Sequence, residues 1–158
     1  MLASRVRGLA PASIILGLSL LAAPAGAQAE SFTFKTTGKP IDRVQLPPAT
    51  AGGRPSGAGV TAVETVTTYP DGKVLRSSGK CASWILPAGS QFGSNQVCTY
   101  TGEGGDTYQV TLTCEAPPQG PNCWGKLTGT GGRFKGRAGA FSLQGGPNGS
   151  VGAGLWND

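Results

Sequence analysis

Few side chains in this 158-residue sequence are equipped for chemistry, and one class is missing altogether. There is no histidine, the commonest general base and metal ligand. Serine and threonine are abundant, but without histidine a serine hydrolase would need a lysine base. Glu64 is the most pointed carboxylate. Strand alternation groups it with Val60, Ala62 and Val66 and aims it inward, across from Gly79, beside Tyr100 and Tyr108 as a candidate ligand-binding set. The plainer alternative places Glu64 at a barrel mouth or beside Arg76 or Lys80. Glu103 and Asp106 share a glycine-rich turn, with no apolar wall to make one an acid and the other a base, so they read as solvated. Lys126, Arg133, Lys135 and Arg137 form the basic cluster, where guanidinium groups and glycine backbone suit an anion. No G-x-x-x-x-G-K-[ST] spacing accompanies them, so a solvated edge that resists aggregation is the competing reading.

The four cysteines gain meaning from the start of the chain. Arg5 and Arg7 precede a short apolar run, Ile14 to Leu21, and small residues follow at Ala25-Gly26-Ala27 and Ala27-Gln28-Ala29. That is the layout of a secretory signal, and the run is too short to span a membrane. Cleavage before Glu30 leaves about 129 residues, one domain by length. Of 13 basic residues two lie in the leader, which leaves 11 against 8 acidic ones, a net charge of +3. This is too mild for a strongly basic nucleic-acid binder. Export to the periplasm or the medium makes two disulfides the expected state of Cys81, Cys98, Cys114 and Cys123. Their wide spacing does not suit a metal site, and no cofactor motif is present.

These residues must be held by strands. The chain holds 27 glycines and 12 prolines, enough to raise disorder, but only 13% of residues are charged, so it lacks the charge that keeps disordered chains open. Phe32 and Phe34 alternate with polar residues in a first strand, Glu30 to Thr36. A Pro/Gly/Ala strap, Gly38 to Gly59, reads as loop. Strand-like segments then alternate with turns through residues 60–158, about eight strands in all, with Pro70-Asp71-Gly72 the clearest hairpin turn. Antiparallel partners have a constant index sum, and those sums set Cys81 against Cys98 and Cys114 against Cys123. They also collect Leu75, the four cysteines, Tyr100, Tyr108, Val110, Leu112 and Leu127 on one face, with Val66 and Ile85. Trp84, Trp124 and Phe141 fall on the other face, as a subunit or ligand contact or under the strap. The expected fold is all-β: a small antiparallel up-and-down barrel, stapled by disulfides.

The run Gly131-Gly132-Arg133-Phe134-Lys135-Gly136-Arg137-Ala138-Gly139 resembles the G-G-x-[FY]-x-G-x-x-G signature of allene oxide cyclase-like and dirigent-like barrels. The resemblance covers about 20 residues. It implies an eight-stranded barrel, often trimeric, with a cavity at one end. It transfers no catalytic residue, and the disulfides and the strap depart from it. Three functions follow as expectations. The first is binding of a small apolar or amphipathic ligand, or of a partner protein on the aromatic outer face. The second is cyclase- or isomerase-like steering of a reactive intermediate by cavity shape. The third is a structural role in the cell envelope. The enzyme reading has no robust catalytic set behind it.

Export predicts a mature chain that begins between Gly26 and Glu30. Intact-mass measurement on secreted protein tests this, and retention of Ile14 to Leu21 would remove both the export claim and the disulfide argument resting on it.

Overall fold

β-Branched and aromatic residues fill the segments between turns, and such residues suit a pleated, half-buried surface. The computed structural model describes residues 29–48, 50–115, 117 and 120–157, so the expected leader, apart from Ala29, lies outside the described residues. The strands are β1 (Glu30–Leu46), β2 (Ser56–Thr68), β3 (Val74–Ile85), β4 (Ser94–Gly102), β5 (Thr107–Glu115), β6 (Asn122–Gly131), β7 (Ala138–Gly146) and β8 (Gly149–Asn157). Each pairs antiparallel with the next, and β8 pairs back onto β1, closing an eight-stranded barrel. Cys81 lies in register with Cys98, and Cys114 with Cys123; both pairs are disulfide-bonded, as the index sums require.

The strap is a correction. Residues from Gly38 to Leu46 continue β1 and pair with Ser56 to Val63 of β2, with a register shift between Pro40 and Asp42. Pairing of β1 to β8 stops at Thr36, so this part of β1 is an edge. An edge strand or a bulge tolerates proline, whose missing N–H then breaks no ladder. The loop shrinks to the residues between Leu46 and Ser56. β3 runs unbroken through Ser78 and Gly79.

Glu64 is the second correction: it is exposed on the outer face. The β2–β3 turn takes three residues, because Tyr69 N–H bonds to Lys73 O at 2.9 Å, and Lys73 N–H bonds to Asp71 Oδ1. Glu64 therefore pairs with Ser78, and Val63 with Gly79. A one-residue slip exchanges the faces of a strand. The exchanged register buries Val63, Thr65, Thr67 and Tyr69 and turns Val66 outward, sparing the interior an unpaired carboxylate. A Cβ built at Gly79 would run into the Thr99 carbonyl and lie 3.1 Å from Tyr100 Cδ1, so no side chain has room there.

Phe141 is the third. It is buried in the barrel, because β7 pairs Gly125 of β6 and Gly154 of β8 with it, and both neighbours lack side chains. The rest of the expected inward set, from Leu75 through Leu127, is buried apart from Val66 and a half-buried Ile85.

The glycine-rich segment after β6 folds into a 3-10 turn, Gly132–Phe134, and sends Phe134 into the end of the barrel, where it is 1% exposed. Gly129 permits this. A Cβ there would run into the Phe134 carbonyl and lie 2.9 Å from its Cβ. Gly129→Ala is expected to cost about 3 kcal/mol by overpacking, against about 0.5 kcal/mol or less for the outward-facing Thr128→Ala. Urea unfolding of the two variants checks it; equal stabilities would contradict the close approach.

Candidate functional site

Inward alternation from all eight strands surrounds a cavity of about 280 Å³. Its floor is aromatic. Phe134 stacks on Trp156 with centroids 4.5 Å apart, and Tyr108 meets both rings edge-on at 5.4 and 5.8 Å. Trp156, at the end of β8, was not singled out by alternation, because the glycines of β8 hide its periodicity. Val63, Val110, Leu112 and both disulfides contribute to the wall. At the other end the lining residues Thr36, Ser94, Gln96 and Ser150 are half-buried, so that end is the mouth.

Ion pairs seal the floor from outside. Arg133 Nε lies 3.0 Å from Asp106 Oδ2, its backbone N–H donates to Asp106 Oδ1 at 2.8 Å, and its guanidinium sits 4.6 Å from the centroid of Phe134. Arg137 Nη1 pairs with Glu30 Oε2 at 2.7 Å and lies 5.8 Å from the centroid of Trp156. Two members of the basic cluster are therefore each engaged by a carboxylate, while Lys126 and Lys135 are exposed on the surface. The four do not converge on an anion site. Asp106 corrects the reading of a merely solvated turn: it holds the floor segment in place, whereas Glu103 is exposed. Gly132, at φ +60, gives that carboxylate room.

No charged side chain lines the cavity among the described residues. Its polar side chains are hydroxyls and, at the mouth, the Gln96 amide. Tyr100 and Tyr108 stack with centroids 4.9 Å apart and planes 8° from parallel. Tyr108 Oη lies 2.8 Å from Ser77 Oγ, and Tyr100 shares a hydrogen bond with Thr65, which lies 2.8 Å from Thr36 at the mouth. Of the candidate set, then, Tyr100 and Tyr108 come together in the cavity and Glu64 does not. Among the described residues no cluster of three or more His, Cys, Asp or Glu side chains could hold a metal ion.

On the outer face Trp84 and Trp124 remain 48% and 43% exposed. They lie on one cross-strand row, Trp84–Asn95–Thr113–Trp124, in which Thr113 Oγ1 donates to Asn95 Oδ1 at 2.9 Å. Phe92 meets Trp124 edge-on at 6.0 Å. Phe141 has left this set for the interior.

Burial raises the pKa of Tyr100 and of Tyr108, and of Tyr69 against the opposing pull of Arg133. These are the chain's three tyrosines. An unfolded phenol ionises at about 10, so above that pH the unfolded chain loses protons that the folded chain retains, and stability falls as pH rises. Phenolate absorbance should therefore rise later than the ordinary midpoint of about 10, together with unfolding. Three phenols titrating at about 10 in the folded protein would contradict the packing around them.

Compared with protein-family models and with curated proteins, the chain matches none.

Proposed function

We propose that the barrel binds one small, uncharged, largely apolar molecule, entering at the mouth bordered by Thr36, Gln96 and Ser150, in an exported protein that works in the periplasm or the medium. The observation that carries this reading is the cavity itself: about 280 Å³, ring-floored and free of charged lining residues. Pockets for small molecules have this character, apolar walls with a few placed polar groups. Two disulfides, with no free cysteine among the described residues, suit an oxidising compartment. No helix among the described residues is long and apolar enough to cross a membrane.

The cyclase- or isomerase-like alternative is weakened by the outward position of Glu64, which leaves the cavity with the Gln96 amide and with tyrosine, serine and threonine hydroxyls as its polar side chains. Hydroxyls held neutral suit binding better than proton abstraction. The exposed Trp84–Trp124 row supports a second reading, a contact with a partner protein or another copy, since tryptophan is enriched in such contacts.

Native mass spectrometry of protein purified from its own host should show a retained small molecule. Val110 is buried and lines the cavity wall, so Val110→Phe should fill the space, keep the fold and lose the adduct. An adduct-free wild type, together with no saturable binding of small apolar probes, would overturn the reading.

A further inference from the structure

Proton counting at one hydroxyl pair narrows the chemistry of the ligand, and this step rests on the cavity-binding reading above. Ser77 and Tyr108 are both buried, and their oxygens lie 2.8 Å apart. Each hydroxyl brings one proton and their mutual bond uses one, so one proton is left over. Neither oxygen has another hydrogen-bond partner among the described residues. Tyr108 lines the cavity, whereas Ser77 lies behind it and does not. The two possible directions of the bond are therefore unequal. If Tyr108 donates to Ser77, the serine proton is stranded in the wall, and a buried unmade hydrogen bond is disfavoured. If Ser77 donates to Tyr108, the spare proton is left on a residue that lines the cavity and can be satisfied from there.

A ligand offering only a donor would force the first arrangement. A ligand offering an acceptor completes the second. The cavity provides no cation for an ionised acceptor, because none of its lining residues is charged. Burial keeps Tyr108 protonated, so it remains a donor. Around this point the surfaces are ring faces: Tyr100 stacked at 4.9 Å, and Phe134 and Trp156 edge-on. At roughly 20–25 Å³ per heavy atom, the cavity of about 280 Å³ holds a molecule of roughly 11 to 14 heavy atoms, close to the lower end of ordinary pockets.

We propose that the cavity selects a neutral carbonyl compound, a ketone, ester or lactone, of roughly 11 to 14 heavy atoms, whose oxygen accepts a hydrogen bond from Tyr108 at the aromatic floor while its apolar body extends toward the mouth.

The test uses the disulfide-intact exported chain and three probes of nearly equal size: butyrophenone, butylbenzene and 4-phenylbutyrate. Calorimetric titration should show the ketone binding about tenfold more tightly than the hydrocarbon, and the carboxylate more weakly than the ketone. Tyr108→Phe should abolish the ketone's advantage and leave hydrocarbon binding within about twofold. Ser77→Ala should keep the advantage, because the phenol can still donate. Circular dichroism confirms that each variant is folded, and Ser77→Ala keeps the comparison informative should the tyrosine variant fail to fold, since loss of the advantage there would contradict the assigned donor. Equal binding of ketone and hydrocarbon to wild type, or an advantage that survives Tyr108→Phe, overturns the carbonyl assignment while the cavity reading stands. No saturable binding of any of the three probes removes both.

Discussion

Glycine set in register beside aromatic rings is the constraint on which this barrel depends. An eight-stranded barrel has an interior just wide enough for its own side chains or for one small ligand, and large rings enter where a neighbour yields volume. Gly154 lies between Phe32 on β1 and Phe141 on β7, and a Cβ there would fall 2.6 Å from one ring and 2.9 Å from the other residue's Cβ. Gly79 stands between Val63 and Tyr100 in the same way, and Gly129 makes the approach of Phe134 possible. Glycine weakens a strand, through entropy and through the missing side chain. Here the loss is offset by rings that would otherwise have nowhere to go. The residual space is the cavity.

Much of this was legible in the sequence because antiparallel pairing is arithmetic. The sums that set Cys81 against Cys98 and Cys114 against Cys123 are correct, so both disulfides and most of the inward face follow. The same arithmetic failed at Pro70-Asp71-Gly72, where a single residue in the turn decides the register and therefore the face of Glu64. Tyr100 and Tyr108 face inward as expected because their register comes from a different turn. Composition misled at Gly38 to Leu46, since proline and glycine read as loop until the lack of a β8 partner for that part of β1 is known. The floor was hardest to see. Phe134 lies outside any strand alternation, and its burial depends on Gly129 and Asp106, which are remote from each other in sequence.

The division of charge between the inside and the ends bears directly on function. Arg133 and Arg137 neutralise Asp106 and Glu30 beneath the floor, leaving hydroxyls and rings to face the cavity. Partly buried pairs of this kind contribute little net stability, because desolvation offsets attraction. Their value lies in geometry: two cations are placed close to the rings of Phe134 and Trp156 and hold the closing segment in one position. Recognition inside is then a matter of shape and single hydrogen bonds, without ionic steering.

The seam between β8 and β1 sets the order in which the chain can acquire its structure. Every other ladder joins consecutive strands, but Glu30 meets Trp156 across nearly the whole described length. Contacts so distant in sequence must overcome a large loop-closure entropy before they return any stabilisation, and folds rich in them form slowly. Both disulfides tie adjacent strands, β3 to β4 and β5 to β6, so they shorten none of that distance. Hairpins stapled early would therefore wait for β8, and until it arrives Phe32, Tyr108 and Phe134 lack the tryptophan and glycines that cover them. A chain whose β8 is not yet in place would spend that interval with an open, ring-lined sheet, the stage at which it most needs protection from its neighbours.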